Sequence, residues 1–222
     1  MFKIVFRKLV SKEFLIEWRQ KYAINGILLY LATTIFITYL SLGVQRGLIH
    51  PLTWNSIFWI IFSFIAINAI AKSFSGDEKR QQLYMYSLVD PQLLFAAKSA
   101  YNILLLTVFG LISFVFYSFV MGNPVANTPL FLINLVLTSV GFAAILTMVS
   151  GIASNAENTA TLMAVLSLPI MVPLLLLSIK ISKAAIDNFE ILLVWKPLLS
   201  IFALDIIIVV VGLVLFPYLW RS

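Results

Sequence analysis

The chain has 222 residues, 62% hydrophobic and 11% charged, with a mean hydropathy of +1.04 and a net charge of +6. That balance excludes a soluble globular domain, and the absence of cysteine excludes disulfides, iron–sulfur clusters and thiolate metal sites. The positive excess reads as membrane topology rather than as affinity for nucleic acid.

The chain opens on MFKIVFRKLVSKEFLIEW. At about 100° per residue, Phe2, Val5, Phe6, Leu9 and Ile16 share one face, and Lys3, Arg7, Lys8, Ser11 and Lys12 share the other. This pattern predicts an interfacial helix over residues 1–22, its apolar side among acyl chains and its basic side toward anionic headgroups. The plainer alternative is a basic topology signal with no fixed helix.

Apolar runs of about 20 residues span a hydrocarbon core of roughly 30 Å, and the runs here lack the alternation of barrel strands. The fold class is therefore an all-α integral membrane protein. Six transmembrane helices are expected near Ile24–Gly43, Asn55–Ala71, Ser99–Met121, Pro129–Ile152, Thr161–Ile179 and Leu198–Tyr218. The first run follows a charged segment and precedes no small-x-small site, so it is expected to remain in the mature protein rather than act as a cleaved signal. No segment is large enough for a separate soluble domain, so residues 1–222 form one membrane domain.

Lys3, Arg7, Lys8, Lys12, Arg19, Lys21, Lys72, Lys79, Arg80, Lys98 and Arg221 fall on one side of these spans. Only Arg46, Lys180, Lys183 and Lys196 fall on the other. Under the positive-inside rule both termini are cytoplasmic.

His50 lies in the first outer segment, Val44 to Trp54. Imidazole can ligate a metal or haem iron, but a lone histidine before Pro51 is ordinarily a loop residue. The first inner loop, 72–98, contains SGDEKRQQLYMYSLVDP, where Asp77 and Glu78 complement a helix N-terminus and Gly76 and Pro91 bracket the stretch. A short helix there would show Lys79 and Arg80 to the cytoplasm beside Tyr84 and Tyr86, with Asp90 closing the loop. Tyr and Arg are residue types that anchor protein interfaces, whereas the plain reading is a solvated connector with tyrosines at headgroup level.

Gly122–Thr128, GNPVANT, is a turn by composition, and Gly151–Met163 is a small-residue inner turn whose only charge is Glu157. The fifth span places Pro169 and Pro173 four residues apart; each removes an internal hydrogen bond, giving a hinge, a cavity or only a packing bend. Lys180–Pro197 alternates apolar and charged residues and is expected to form a short outer helix. The six methionines are read as packing residues. Within the last span Asp205 carries an insertion cost of about 2.5–3.5 kcal/mol, offset by surrounding Leu, Ile, Val and Phe. It is either a pathway or proton site, or a structural residue bonded to Asn68, Asn134 or a Ser/Thr of a neighbouring helix.

H-E-x-x-H, G-x-S-x-G and G-x-x-x-x-G-K-[ST] are all absent, so the chain is not expected to be an enzyme or to hydrolyse ATP itself. FSGDEKRQQLYMYSLVDPQLLFAAK, SGIASNAENTATLMAVLSLPIMVPLLL and the tail LFPYLWRS together resemble the haem exporter protein B family, CcmB, among ABC-2-type permeases. The loop departs from that family's pattern at Gln81, Gln82, Leu83 and Tyr84. The resemblance implies an ABC-2-type permease domain in the bacterial inner membrane, serving haem export or delivery in c-type cytochrome maturation. It implies that Asp77, Glu78, Lys79, Arg80, Tyr84, Tyr86 and Asp90 form a coupling helix that docks a CcmA-like ATP-binding subunit. It further implies a homodimer, a CcmC-like haem-handling partner, delivery of haem to a periplasmic chaperone, ATP and Mg in the partner subunit, no cofactor bound directly, and either haem itself as substrate or ATP-driven release of the loaded chaperone. The alternatives are an ABC-2 permease for another amphiphile, such as a lipid, polysaccharide or drug, and a structural membrane subunit with no ATPase.

Overall fold

In a computed structural model the described residues are 2–19, 21–42, 49–71, 90–154 and 159–221, with side chains described for 6–15, 24–42, 49–71, 90–154 and 161–218. These residues form α1 (Phe2–Arg19), α2 (Lys21–Leu42), α3 (Pro51–Ile70), α4 (Pro91–Met121), α5 (Thr128–Ala153), α6 (Thr159–Ile186), a 3₁₀ turn (Ile191–Leu193) and α7 (Trp195–Arg221). Helices α2 to α7 each contain a stretch long and apolar enough to cross a membrane, as the hydropathy predicts. The chain is a multi-pass membrane protein.

Helix α5 is the hub. It packs against α3, α4, α6 and α7, and most of its residues are buried, which accounts for a sequence that is apolar on every side. Helices α2 and α7 lie at the rim and expose rows of Leu, Ile, Val and Phe. Lipid is as apolar as those side chains, so cohesion between spans comes from close packing and hydrogen bonds rather than from hydrophobic burial.

Two devices hold the half of the bundle opposite the termini. One is an aromatic cluster: Trp54 and Phe58 of α3 stack at 5.8 Å, and Phe114 of α4 stacks on Phe131 of α5 at 4.6 Å. Tyr117 joins it at 4.8 Å from Trp54 and donates its hydroxyl to the Trp54 carbonyl. Such ring pairs contribute about 0.5–1.5 kcal/mol each beyond area burial. The other device is turn chemistry. Gly122 ends α4 at φ 80°, a left-handed conformation that glycine adopts without cost, and its carbonyl accepts from Trp54 Nε1 at 2.8 Å. Asn127 then caps α5 through Leu130 N–H, so GNPVANT is the turn its composition predicts.

Three features refine the sequence reading. The loop expected over 72–98 stops at Asp90, because Pro91 begins α4 and residues 91–98 are its first two turns. The outer helix expected over Lys180–Pro197 is divided: α6 runs on to Ile186, and only the 3₁₀ turn Ile191–Leu193 stands apart before α7. Finally, α1 is helical, with Leu9 buried and Phe6 and Val10 half-buried against protein, so this part of its apolar side packs on the bundle, while Phe14 and Leu15 stay exposed.

Candidate functional site

A platform on the terminus-side face is built from three elements. Leu9 of α1, Leu93, Leu94, Phe95 and Ala97 of α4, and Phe216 of α7 form an apolar cluster separate from the main core. Phe95 and Phe216 meet at 5.3 Å, and both rings occupy space left by glycine: Phe216 lies against Gly151 of α5, Phe95 against Gly212 of α7. Beside this cluster Lys98 of α4 reaches Glu13 of α1, Nζ lying 3.3 Å from Oε1 and 3.4 Å from Oε2. Both side chains are nearly excluded from solvent, so the Glu13 carboxylate depends on the Lys98 ammonium.

Asp90 sits at the edge of the platform. Its carboxylate caps α4 by accepting from Gln92 N–H at 3.0 Å, and Pro91 fills the first helical position, where its missing N–H costs nothing. Asp77, Glu78, Lys79, Arg80, Tyr84 and Tyr86 lie outside the described residues, as do 155–158 with Glu157; the rest of the expected inner turn Gly151–Met163 is mostly helical instead, α5 running to Ala153 and α6 starting at Thr159. Their segment leaves α3 after Ala71 and re-enters at Asp90, so the platform is its anchor on the α4 side.

Inside the bundle the predicted polar residues separate. Asn134 of α5 is the centre of a buried network: its Nδ2 donates to the Ser178 carbonyl and to Ser182 Oγ of α6, each at 2.9 Å. Ser182 Oγ also accepts from Trp59 Nε1 of α3 at 2.9 Å, and Asn55 Nδ2 donates to the Ile179 carbonyl at 2.9 Å. Thr138 and Ser178 are 2.6 Å apart, close enough that one hydroxyl donates to the other. These bonds tie α3, α5 and α6 together. Asn68, in contrast, is exposed and donates within its own helix to the Phe64 carbonyl at 2.8 Å.

Asp205 is only 4% exposed, and neither carboxylate oxygen has a hydrogen-bond partner among the described residues. The sequence reading offered Asn68, Asn134 or a neighbouring Ser/Thr as partner; both asparagines are committed elsewhere. Asp205 fits because Gly141 of α5 has no Cβ: Oδ1 and the Leu174 side chain of α6 occupy the place where one would stand. Pro169 and Pro173 both lie within α6 and both are exposed, so they face outward from the bundle. Each frees the carbonyl four residues earlier. His50 serves as the N-cap of α3, its Nδ1 accepting from Leu52 N–H at 3.3 Å.

The sequence reading missed the Glu13–Lys98 pair, in which a residue taken for a loop charge is buried in a helix. The one available signal was that Lys98 follows the apolar run LLFAA, which is not loop composition. Ser178 and Ser182, spaced one turn apart on α6 opposite Asn134, were also legible as a polar face but went unassigned.

The arrangement supplies a rigid hydrogen-bonded half, a platform at the opposite end where a polar segment enters the bundle, and no assembled set of nucleophile, base and orienting group among the described residues. No curated protein matches the chain. A model of the CcmB protein family matches residues 4–218, which spans α1 through α7. The chain therefore belongs to the CcmB protein family.

Proposed function

We propose that this chain is the membrane permease subunit of an ATP-driven complex that serves haem export or delivery during c-type cytochrome maturation. Family membership over residues 4–218 carries the proposal. In this reading the chain binds no nucleotide; a separate CcmA-like subunit holds ATP and Mg and docks on residues 72–89. Closure of that subunit pulls on the segment, and the pull enters the bundle at Asp90, where α4 is braced by α1 and α7. Haem is the cargo, a CcmC-like membrane protein its handler, and a second copy of this chain completes the permease. The lysine and arginine distribution supports cytoplasmic termini, and family membership supports the bacterial inner membrane.

Deleting the gene and staining for covalent haem tests the proposal: c-type cytochromes should disappear and return on complementation. Normal cytochrome levels in the deletion strain would contradict it. Complementation with Glu78→Ala, Arg80→Ala or Tyr84→Ala is expected to restore membrane insertion but less cytochrome, with less of the ATP-binding subunit co-purifying.

A further inference from the structure

The face opposite the termini carries a groove of about 570 Å³, lined by Lys180, Lys183 and Asp187 at the end of α6 and by Phe189, Leu193 and Val194 of the hairpin that follows. The hairpin is firmly built. Asn188 adopts φ 59° and lets α6 end in a Schellman turn, with Phe189 N–H donating back to the Ala184 carbonyl at 2.9 Å. Asn127 of α5 fixes the same turn twice: its backbone N–H donates to the Ala185 carbonyl at 2.8 Å, and its Nδ2 to the Phe189 carbonyl at 2.9 Å.

Lys180 and Lys183 are one turn apart on α6 and project from the same helix face. Both are exposed, and neither forms an ion pair among the described residues, although Asp187 is on the same wall and Glu190 is nearby on the hairpin. Lys196, outside the groove lining, places its ammonium 5.9 Å from the Trp195 ring centroid. Two unpaired ammonium groups side by side suit an oxyanion such as a phosphodiester, whose two non-bridging oxygens can each accept from one of them. The remainder of the wall is apolar, and Leu192, Leu193 and Trp195 are exposed beside it. A soluble anion has no use for that surface. A membrane lipid has, because the groove lies where two spans end and exposed Leu176 and Leu199 continue from it along α6 and α7. Basic pockets between spans at a membrane surface, with tryptophan at headgroup level, suit an anionic headgroup.

We infer that this groove is a binding site for the phosphate headgroup of an anionic phospholipid, with Lys180 and Lys183 on the phosphate and the acyl chains lying along α6 and α7. The inference is independent of the cargo.

Native mass spectrometry of the whole complex, purified and titrated with phosphatidylglycerol or phosphatidylcholine, tests it. The wild-type chain should prefer phosphatidylglycerol, and each of Lys180→Gln and Lys183→Gln should lower that affinity about fivefold, the double variant more than tenfold. Arg7→Gln/Lys8→Gln, on the other face, should leave the site intact. Leu193→Asn, which keeps both lysines, should weaken lipid binding without affecting any binding of inorganic phosphate. An unchanged preference in the double variant would overturn the proposal. So would displacement of the lipid by millimolar inorganic phosphate, which marks a general anion site, or by an amphiphilic dicarboxylate more readily than by phosphatidylglycerol, which marks a cargo site.

Discussion

The two halves of the bundle are held together by different means. Opposite the termini, Asn134, Ser178, Ser182 and Trp59 join three helices through side-chain hydrogen bonds, above which Asn127 secures the α6–α7 hairpin. On the terminus side, α1, α4 and α7 meet mainly through packed rings and leucines and the Glu13–Lys98 ion pair, with Asn102 Nδ2 of α4 donating to Thr147 Oγ1 of α5 at 2.8 Å as a side-chain bond between α4 and α5. Hydrogen bonds with fixed geometry resist sliding, whereas apolar contacts between helices in a membrane exchange readily for lipid. The contrast describes a bundle with a firm end and a compliant end, and the polar segment 72–89 enters at the compliant one.

The sharpest way to break the compliant end is to remove one member of its ion pair. Lys98→Met leaves Glu13 buried without a counter-charge and should cost about 3–5 kcal/mol, seen as release of α1 to limited proteolysis. Lys98→Met combined with Glu13→Leu should recover most of that stability, since an apolar pair of similar volume is often as stable as the ions it replaces. Equal sensitivity of the single and double variants would show that the pair is not what holds α1.

At the junction between the halves, Gly141→Val sets a side chain where Asp205 and Leu174 already stand and should cost about 1–3 kcal/mol or more in thermal stability. Asp205→Leu, by contrast, removes an unpartnered carboxylate from a span and should raise thermal stability or leave it unchanged. A large loss of stability in Asp205→Leu would reveal a partner the present geometry lacks.

At the firm end, Asn134→Leu breaks two bonds at once. Interhelical bonds in membranes are worth about 0.6 kcal/mol on average and up to about 1.7, so a loss of about 1–3 kcal/mol is expected. Asn68→Leu, whose bond is local and exposed, should change stability by less than about 0.5 kcal/mol. Comparable losses from the two would erase the distinction between a network and a lone asparagine.

Much of this was readable in the chain. Hydropathy located all six spans because nothing competes with a continuous apolar run, and Gly122 and Asn127 announced their turn because each has one conformational task. What escaped was pairing. Lys98 counts as a loop charge until Glu13, 85 residues away, is known to neutralise it, and the α4 boundary moved with it. Asp205 and Asn134 are both buried polar residues of membrane spans, but their roles depend on which residue faces each across a neighbouring helix: Ser182 for one, a glycine for the other. Sequence spacing gives the face of one helix and not the register between two.

The central claim is that force enters this protein at residues 72–89 from a separate ATP-binding subunit. The chain has no cysteine, so single cysteines placed at Glu78, Arg80 and Tyr84, with Lys183 and Asn188 as controls on the far face, can each be cross-linked to that subunit in native membranes. The account predicts adducts from the first three positions and none from the controls. An active complex with no adduct at Glu78, Arg80 or Tyr84, or with one at Lys183 or Asn188, would contradict it.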